Sequence, residues 1–417
     1  MTDGKLDIVV TYDYGFVNGG AAKVAIAGAL GLAARGHRVA YFAPVGPADP
    51  RLAAGGVKTV VLDQPDLLGD ANALSAAVRG IWNRKAAAAL RRLLDGHDPK
   101  TTVIYQHGWS KAMSPACQQA IAASGIPTLY HMHEYFAACP NGAFFDYPAG
   151  ENCQRRPMSF ACITANCDAR AYRHKLFRVV RQAALNGPGR FRRNLKHRVA
   201  ISDLQKRVLS AWLPPPESEV YAPNPIDVED QGPAAIADDA PFLFVGRFSR
   251  EKGADLAAAA AHDAGAPIAF VGDGELGPIL RQCAPTAEFT GWLTPEAVSA
   301  RMRQARALVF PSIWYECQPL TVLEALAQGV PVIVSDNCAG VEYVADGETG
   351  LHVASQSVDA LAAAMRTLMA TDVARRMGAA AHRRYWKRPH TIERHLDAVE
   401  PALRRANGRV ALGITDN

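Results

Sequence analysis

The chain has 417 residues, of which 49% are hydrophobic and 20% charged. Since a typical domain holds about 100–200 residues, two large domains with sizeable cores are expected; a peptide, a small scaffold or a generally disordered chain is excluded. A formal charge of +5 is small for this length, so anionic partners must be met by local clusters and not by a global field.

At the start, Asp3, Asp7 and Asp13 flank the apolar run Ile8 to Val10, with no basic stretch ahead of a cleavable segment, which reads as a cytoplasmic protein. Val24 to Ala34 falls short of the ~20 apolar residues a bilayer span needs, so no spanning helix is expected. Short β-branched runs then alternate with Ala-rich helical runs, the pattern of a parallel sheet between two helical layers. Leu6 to Tyr12 reads as a strand, Ala21 to Arg35 as a helix, and Arg38 to Pro44, Thr101 to Gln106 and Thr128 to His131 as strands. Pro214 to Pro216 and Pro223-Asn224-Pro225 cannot continue helix or sheet and mark a hinge, with the boundary near residue 222. The second half repeats the scheme, with strands at Pro241 to Gly246, Ile268 to Gly272, Ala307 to Pro311 and Val330 to Ser335. Helices are expected at Ala254 to Asp263, Pro295 to Gln304 and Pro319 to Gln328, and after Ser355 only helical patterns appear.

The most informative segment is Pro311-Ser-Ile-Trp-Tyr-Glu316-Cys-Gln-Pro319-Leu-Thr-Val-Leu-Glu324-Ala-Leu-Ala-Gln-Gly329. Pro319 suits a first helical turn, which leaves Glu316 in the preceding loop and Glu324 on the second turn. The N–H groups at Leu320 and Thr321 are then free to meet an anion at the carboxyl end of a strand, where open α/β sheets bind ligands. An ordinary solvated glutamate near a helix start fits the same spacing. In Phe244-Val-Gly246-Arg247-Phe-Ser-Arg250-Glu251-Lys252-Gly253, Arg247 offers a guanidinium fork and Lys252 a point charge, a pair that can neutralise a diphosphate or simply be solvated. Val271-Gly272-Asp-Gly274 and Asn18-Gly19-Gly20 are glycine turns at strand ends, each weak alone.

Together with Phe289-Thr-Gly291-Trp292-Leu293, Asn224-Pro225-Ile226-Asp227 and Ala200-Ile-Ser202, these segments resemble the retaining GT-B glycosyltransferases of glycosyltransferase family 4. The resemblance rests on the E-x7-E pair Glu316 and Glu324 and the G-R-x4-K-G run from Gly246; it covers nearly the whole chain and is strongest over residues 241–353. It implies an α/β GT-B fold, two Rossmann-like parallel-sheet domains facing across a cleft. Residues 1–222 would form the acceptor-side domain and 223–385 the nucleotide-sugar domain, with a helical segment at 386–417 that could pack back across both. It also implies a retaining hexosyltransferase that moves a sugar from a nucleotide-activated donor to a sugar or lipid-linked sugar acceptor in cell-surface polysaccharide assembly, with no metal required.

By the same resemblance Arg247 and Lys252 hold the diphosphate, Glu324 the ribose hydroxyls and Glu316 hydroxyls of the transferred sugar. The backbone of Gly291, Trp292 and Leu293 meets the base, and Gly19 and Gly20 lie in the first donor-side loop. His133, in His131-Met-His133-Glu134-Tyr135, matches a histidine near the transferred sugar; His131 competes for that role, and a satisfied core histidine is the alternative. The chain departs from the family at Gln318-Pro319, where many relatives carry glycine, which bears on the donor-sugar contacts. A catalytically silent nucleotide-sugar-binding protein and a GT-B epimerase or phosphorylase are the rival functions. A dehydrogenase is disfavoured, because the first strand lacks a tight G-x-G-x-x-G turn.

Cys139, Cys153, Cys162 and Cys167 crowd into one turn-rich segment without C-x2-C pairs; a structural zinc or iron–sulfur site, unpaired thiols and disulfides all remain open. From Arg155 to Arg207 basic residues far outnumber acids. Within it, Tyr172, Leu176, Val179, Val180 and Ala183 recur at helical spacing among arginines. Such a basic amphipathic helix either rests on anionic lipid or packs its apolar stripe on the domain core. No nucleic-acid-binding module is visible.

Overall fold

The computed structural model describes residues 4–408 apart from residue 71, so Asp3 and residues 409–417 of the expected C-terminal segment lie outside the described residues. The first sheet is built from β1 (Asp7–Thr11), β2 (Arg38–Ala43), β3 (Lys58–Val61), β4 (Thr102–Gln106) and β5 (Thr128–His131). An insertion follows, with a short antiparallel pair β6 (Phe145–Asp146) and β7 (Glu151–Asn152), before β8 (His197–Ala200) and β9 (Ser218–Tyr221) complete the sheet. Its seven strands run parallel in the order β3-β2-β1-β4-β5-β8-β9. The second sheet has six parallel strands: β10 (Phe242–Val245), β11 (Ile268–Val271), β12 (Glu288–Phe289), β13 (Leu308–Phe310), β14 (Val332–Ser335) and β15 (Gly350–Val353). Their order is β12-β11-β10-β13-β14-β15. The two sheets lie on either side of the proline-rich hinge.

Alternation along each strand sends neighbouring side chains to opposite faces, and both faces are buried, as a parallel sheet requires. Ile8 and Val10 join Tyr41, Val103 and Tyr105 in one core, whereas Val9 joins Phe42, Ile104 and Tyr130 in the other. In the second domain Leu243 faces Val332 and Leu326, and Phe242 and Phe244 face Phe270 and the alanine-rich helix Ala254–Ala264. Small alanines let that helix sit close to the aromatic layer. The whole architecture is the pair of parallel-sheet α/β domains that the motif pattern implies.

Several contacts tie the domains together. Helix Thr371–Lys387 stays with the second domain, where Trp386 Nε1 donates to the Ala327 carbonyl at 2.8 Å. Helix Ile392–Ala406 crosses back and buries Leu396, Val399 and Leu403 in the first domain's core, with Arg35 paired to Asp397 at 2.7 Å and Glu400 at 3.1 Å. Between them the Ile226 N–H donates to the His390 carbonyl at 2.9 Å. Elsewhere Glu342 of the second domain accepts the N–H groups of Asp203 and Leu204 at 3.0 and 2.7 Å. It thereby caps helix Asp203–Ser210 of the first, as a carboxylate at a helix N-terminus should.

Helix Tyr172–Asn186 sits the opposite way round from core packing of its apolar stripe. Lys175 and Arg181 are buried, while Leu176, Val180 and Ala183 face outward. The domain surface beneath the helix offers ring faces and a carbonyl, which suit a cation: Arg181 lies 5.3 Å from the Trp109 ring and 5.2 Å from that of Phe136, and donates to the Ser110 carbonyl at 2.6 Å. Leu396→Ala, which removes the side chain seated on helix Gly20–Ala34, should cost about 2–5 kcal/mol in urea unfolding; an unchanged midpoint would show that the C-terminal helix contributes nothing to the first domain.

Candidate active site

The second-domain half of the site is made by two strand ends. After β13 the chain runs through Pro311 to Pro319, the N-cap of helix Leu320–Ala327, and this loop carries Glu316. After β10 it passes Gly246 and Arg247 into the short 3-10 turn Arg250–Lys252. Gly253 ends that turn at φ +69, and a Cβ there would collide with the Pro311 carbonyl, so the two loops meet only because position 253 is glycine. Lys252 Nζ makes an ion pair with Glu316 Oε2, and Trp314 Nε1 donates to the same oxygen at 2.8 Å. Lys252 also stands 5.0 Å from the Trp314 ring centre. Arg247 is 63% exposed at its side chain and lies 4.0 Å from Glu251, which leaves its guanidinium open to the cleft.

The first-domain half is a histidine stack. His131 and His133 rings stack at 4.1 Å, His107 and His133 at 5.1 Å, and His107 Nδ1 meets His133 Nε2 at 2.9 Å. His131 spends both nitrogens, on Tyr105 Oη at 2.7 Å and Asn224 Oδ1 at 3.1 Å. Tyr105 Oη also meets His395 Nε2 at 3.3 Å, and His395 Nδ1 donates to the Pro223 carbonyl at 3.0 Å. Burial holds His133 down at about 3 and His395 at about 4, and holds His107 and His131 well below the ordinary range, so all four are neutral imidazoles. Ligand atoms of His107, His131 and His133 lie within 4.8 Å of one another, but parallel rings that hydrogen-bond each other do not converge on a metal ion.

The two halves meet at Asn224. Its N–H donates to Gln318 Oε1 at 2.7 Å and its carbonyl accepts from Gln318 Nε2 at 3.2 Å. Gln318, the departure from the family pattern, thus ties the Glu316 loop to the hinge.

A cavity of about 390 Å3 lies between the halves, and Gly20, His133, Arg247, Lys252, Glu316, Leu320 and Thr321 all line it. Gly20 begins helix Gly20–Ala34 and sits against Leu320, so the N-termini of two helices face each other across the cleft. Gly19, Gly291, Trp292, Leu293 and Glu324 are not among the lining residues. Gly19 caps the first of these helices in extended conformation. Gly291 lies beside Gly272, whose N–H donates to the Gly291 carbonyl at 2.9 Å; Trp292 next to it is 67% exposed, and Leu293 packs into the second-domain core. The Glu324 carboxylate makes no hydrogen bond to a described residue; burial raises its pKa and Lys23 opposes that. The four clustered cysteines lie outside the cavity, and none of the eight cysteines forms a disulfide.

Sequence reasoning placed Asn224 in the hinge and marked Gln318 as a departure from the family pattern without foreseeing their bond, and it assigned no role to His107 or Glu134. His107 follows β4 at its carboxyl end, a position that marks it as a candidate on topology alone. Glu134 lines the cavity, accepts from Ser110 Oγ at 3.2 Å, and burial raises it to about 7. An unfolded glutamate titrates at about 4.3, so the folded state binds the extra proton between these values. This contribution is complete below about 4.3 and is lost as pH rises through about 7. Urea unfolding of the native chain should therefore lose stability from this group between pH 5 and 8, on the order of 2 kcal/mol, and Glu134→Gln should remove that slope; the same slope in the variant would sink the assignment.

Two family models match the chain: the one described as Glycosyl transferase 4-like domain over residues 19–225 and the one described as Glycosyl transferases group 1 over residues 240–371. Among curated proteins, the phosphatidyl-myo-inositol mannosyltransferase of Mycolicibacterium smegmatis is 29% identical over 189 residues, 42% of this chain and 48% of that protein. The GDP-mannose-dependent alpha-mannosyltransferase of the same organism is 37% identical over 174 residues, 40% of this chain and 45% of that protein. These alignments span about half the length of the curated relatives. Among solved structures, sucrose-phosphate synthase from Thermosynechococcus elongatus superposes with a TM-score of 0.69 at 18% identity, covering 97% of this chain and 100% of that one. Anabaena HepE in complex with UDP and glucose does so with a TM-score of 0.64 at 15% identity, covering 96% and 100%. Two matched domains, motif segments at the mouths of both sheets and a whole-chain likeness in fold lead to one conclusion: the chain belongs to the group 1, family 4-like glycosyltransferases and has their GT-B fold.

Proposed function

We propose that the protein transfers a sugar, with retention of anomeric configuration, from a nucleotide-activated donor to a sugar or lipid-linked sugar acceptor in cell-surface polysaccharide assembly. The observation that carries this reading is the Lys252–Glu316 pair, set beside Arg247 and a helix N-terminus and opposite His133 across one cavity. The donor diphosphate would take Arg247, Lys252 and the N–H groups at Leu320 and Thr321, neutralising its charge without a metal. Lys252 would then exchange Glu316 for phosphate, releasing the Glu316 carboxylate to the hydroxyls of the transferred sugar. As the glycosidic bond breaks, negative charge builds on the leaving diphosphate, where these preoriented cations and dipoles stabilise it best. His133, neutral at working pH, would serve as a hydrogen-bonding group to the sugar and not as a charge. Glu324, free of protein partners, fits the ribose hydroxyls, and exposed Trp292 beside Gly291 fits a base.

A lipid-linked acceptor is supported by the outward apolar side of helix Tyr172–Asn186. Leu176 and Val180 are 41% and 51% exposed there. The adjoining helix Ala73–Ile81 adds Leu74 and Val78 at 75% and 60%, and Phe160 stands out at 84%. Exposed Arg170, Arg173 and Arg190 accompany them, so apolar side chains and cations together suit an anionic bilayer surface. No helix of the described residues is long and apolar enough to cross a membrane, so the contact would be peripheral, on the cytoplasmic face.

A thermal-shift screen against UDP-, GDP- and ADP-sugars should single out one nucleotide. Titration calorimetry with that nucleoside diphosphate should then show Lys252→Ala binding about tenfold or more weakly. Glu316→Gln should keep most of the binding and lose on the order of 100-fold in turnover. Binding without any transfer in the native chain would favour the silent binding protein. In sedimentation with vesicles containing anionic lipid, Val180→Asp combined with Phe160→Ser should release the protein to the supernatant; equal pelleting would remove the membrane reading.

A further inference from the structure

We propose that Cys139, Cys153, Cys162 and Cys167 are the ligands of a tetrathiolate zinc site at the root of the insertion that bears β6 and β7. The four residues come from separate local pieces: a turn before β6, the end of β7, the short helix Phe160–Thr164 and the turn ahead of helix Tyr172–Asn186. Cys139, Cys162 and Cys167 are buried, at 7%, 5% and 4% exposure.

Three of the four sulfurs are met by a cationic hydrogen-bond donor. Lys175 Nζ lies 3.1 Å from Cys167 Sγ and 3.5 Å from Cys162 Sγ. Arg155 Nη1 lies 3.6 Å from Cys153 Sγ. Cationic donors beside three of the sulfurs suit thiolates. Lys175 sharpens the point: it is 1% exposed and its hydrogen bonds go to sulfur alone. A buried ammonium without an anion is strongly unfavourable. The buried carboxylate nearby, Asp168, is taken by Arg178 at 2.9 Å and Arg170 at 3.8 Å, so negative charge for Lys175 has to come from the cysteines.

A zinc ion bound by four thiolates carries a net charge of minus two, which Lys175 would partly offset, while Lys175 and Arg155, the latter also paired to Asp146 at 2.8 Å, would donate to the sulfurs from the outer shell. Binding requires each sulfur within about 2.3 Å of a common point. Among the described residues the histidine trio is the one group of three candidate ligands whose atoms lie within 4.8 Å of one another; no three of the four sulfurs do, so closing the zinc site would need them to rotate inward on their turn-rich segments.

The site would govern a contact across the cleft. Beyond its cysteines the insertion reaches the second domain, where Asn152 Nδ2 donates to the Ile313 carbonyl at 3.3 Å and Gln154 Nε2 to Tyr315 Oη at 2.9 Å. Those acceptors flank the Glu316 loop, and Phe145 packs on Ile313 and Trp314 beside it.

Elemental analysis of the purified full-length chain should find stoichiometric zinc, absent from Cys139→Ser and Cys167→Ser and kept by Cys283→Ser, whose thiol is exposed elsewhere. The apoprotein reloaded with cobalt should show intense sulfur-to-cobalt charge-transfer absorption, a readout on the native sequence that depends neither on activity nor on a variant's folding. Lys175→Gln should surrender zinc to a chelator about tenfold more readily. A native chain that holds no zinc and gives no such absorption overturns the proposal. So does zinc retained by both serine variants, or stoichiometric iron with acid-labile sulfide.

Discussion

Asn224 is the joint on which the site depends. A two-domain cleft is useful only if loops from both sheets meet in a fixed register, and one buried residue of the hinge bonds to both. Its side chain accepts from His131 at the end of β5, and its backbone pairs twice with the Gln318 amide in the Glu316 loop. Each of these buried groups would otherwise be left unsatisfied, at a cost of about 1–3 kcal/mol apiece. Prolines on either side hold the hinge backbone to few conformations, so these bonds are formed with little ordering left to do. The chain that reaches Gln318 through Asn224 also continues through His131 and Tyr105 to His395, so the C-terminal helix joins the same network.

The electrostatics of the cleft divide along the same line. The first domain contributes neutral imidazoles, kept so by burial, and a glutamate that titrates near neutrality. The second contributes cations and the positive end of helix Leu320–Ala327, which faces that of helix Gly20–Ala34 from the first. A donor with a charged diphosphate and an uncharged sugar would therefore find its charged end answered by one domain and its hydroxyls by hydrogen-bonding groups of both. Lys252 is held by Glu316, which keeps a partly buried cation paired.

Helix Tyr172–Asn186 shows how a buried face is chosen by what lies beneath it. Aromatic rings at Trp109 and Phe136 and the thiols of Cys162 and Cys167 receive Arg181 and Lys175, and the aliphatic stripe is left outside. Cation–π contacts and hydrogen bonds to sulfur compensate for burying charge here. Leu176 and Val180 are thereby left exposed, and the same helix brings an ammonium to the cysteines.

Much of the architecture was legible in the chain itself. Period-two runs such as Leu6 to Tyr12 and alanine-rich helical runs at glycine turns are local features, and they specify parallel sheets because both faces of each strand are apolar. The segments holding Arg247, Lys252, Glu316, Leu320 and Thr321 were equally legible, since a strand end followed by a helix start places its residues at the cleft whatever the rest of the chain does. Edge strands such as β3, β12 and β15 were not picked out, because two to four residues carry too little periodicity. The insertion pair β6 and β7 escaped for the same reason. What only the tertiary structure decided were relations between distant segments: that Gln318 bonds to Asn224, that His107 stacks on His133, that helix Ile392–Ala406 closes the first domain, and which side of helix Tyr172–Asn186 is buried. Local sequence sets the backbone conformation and the pattern of polarity, but which buried polar group finds which partner depends on surfaces that exist only once both domains have folded.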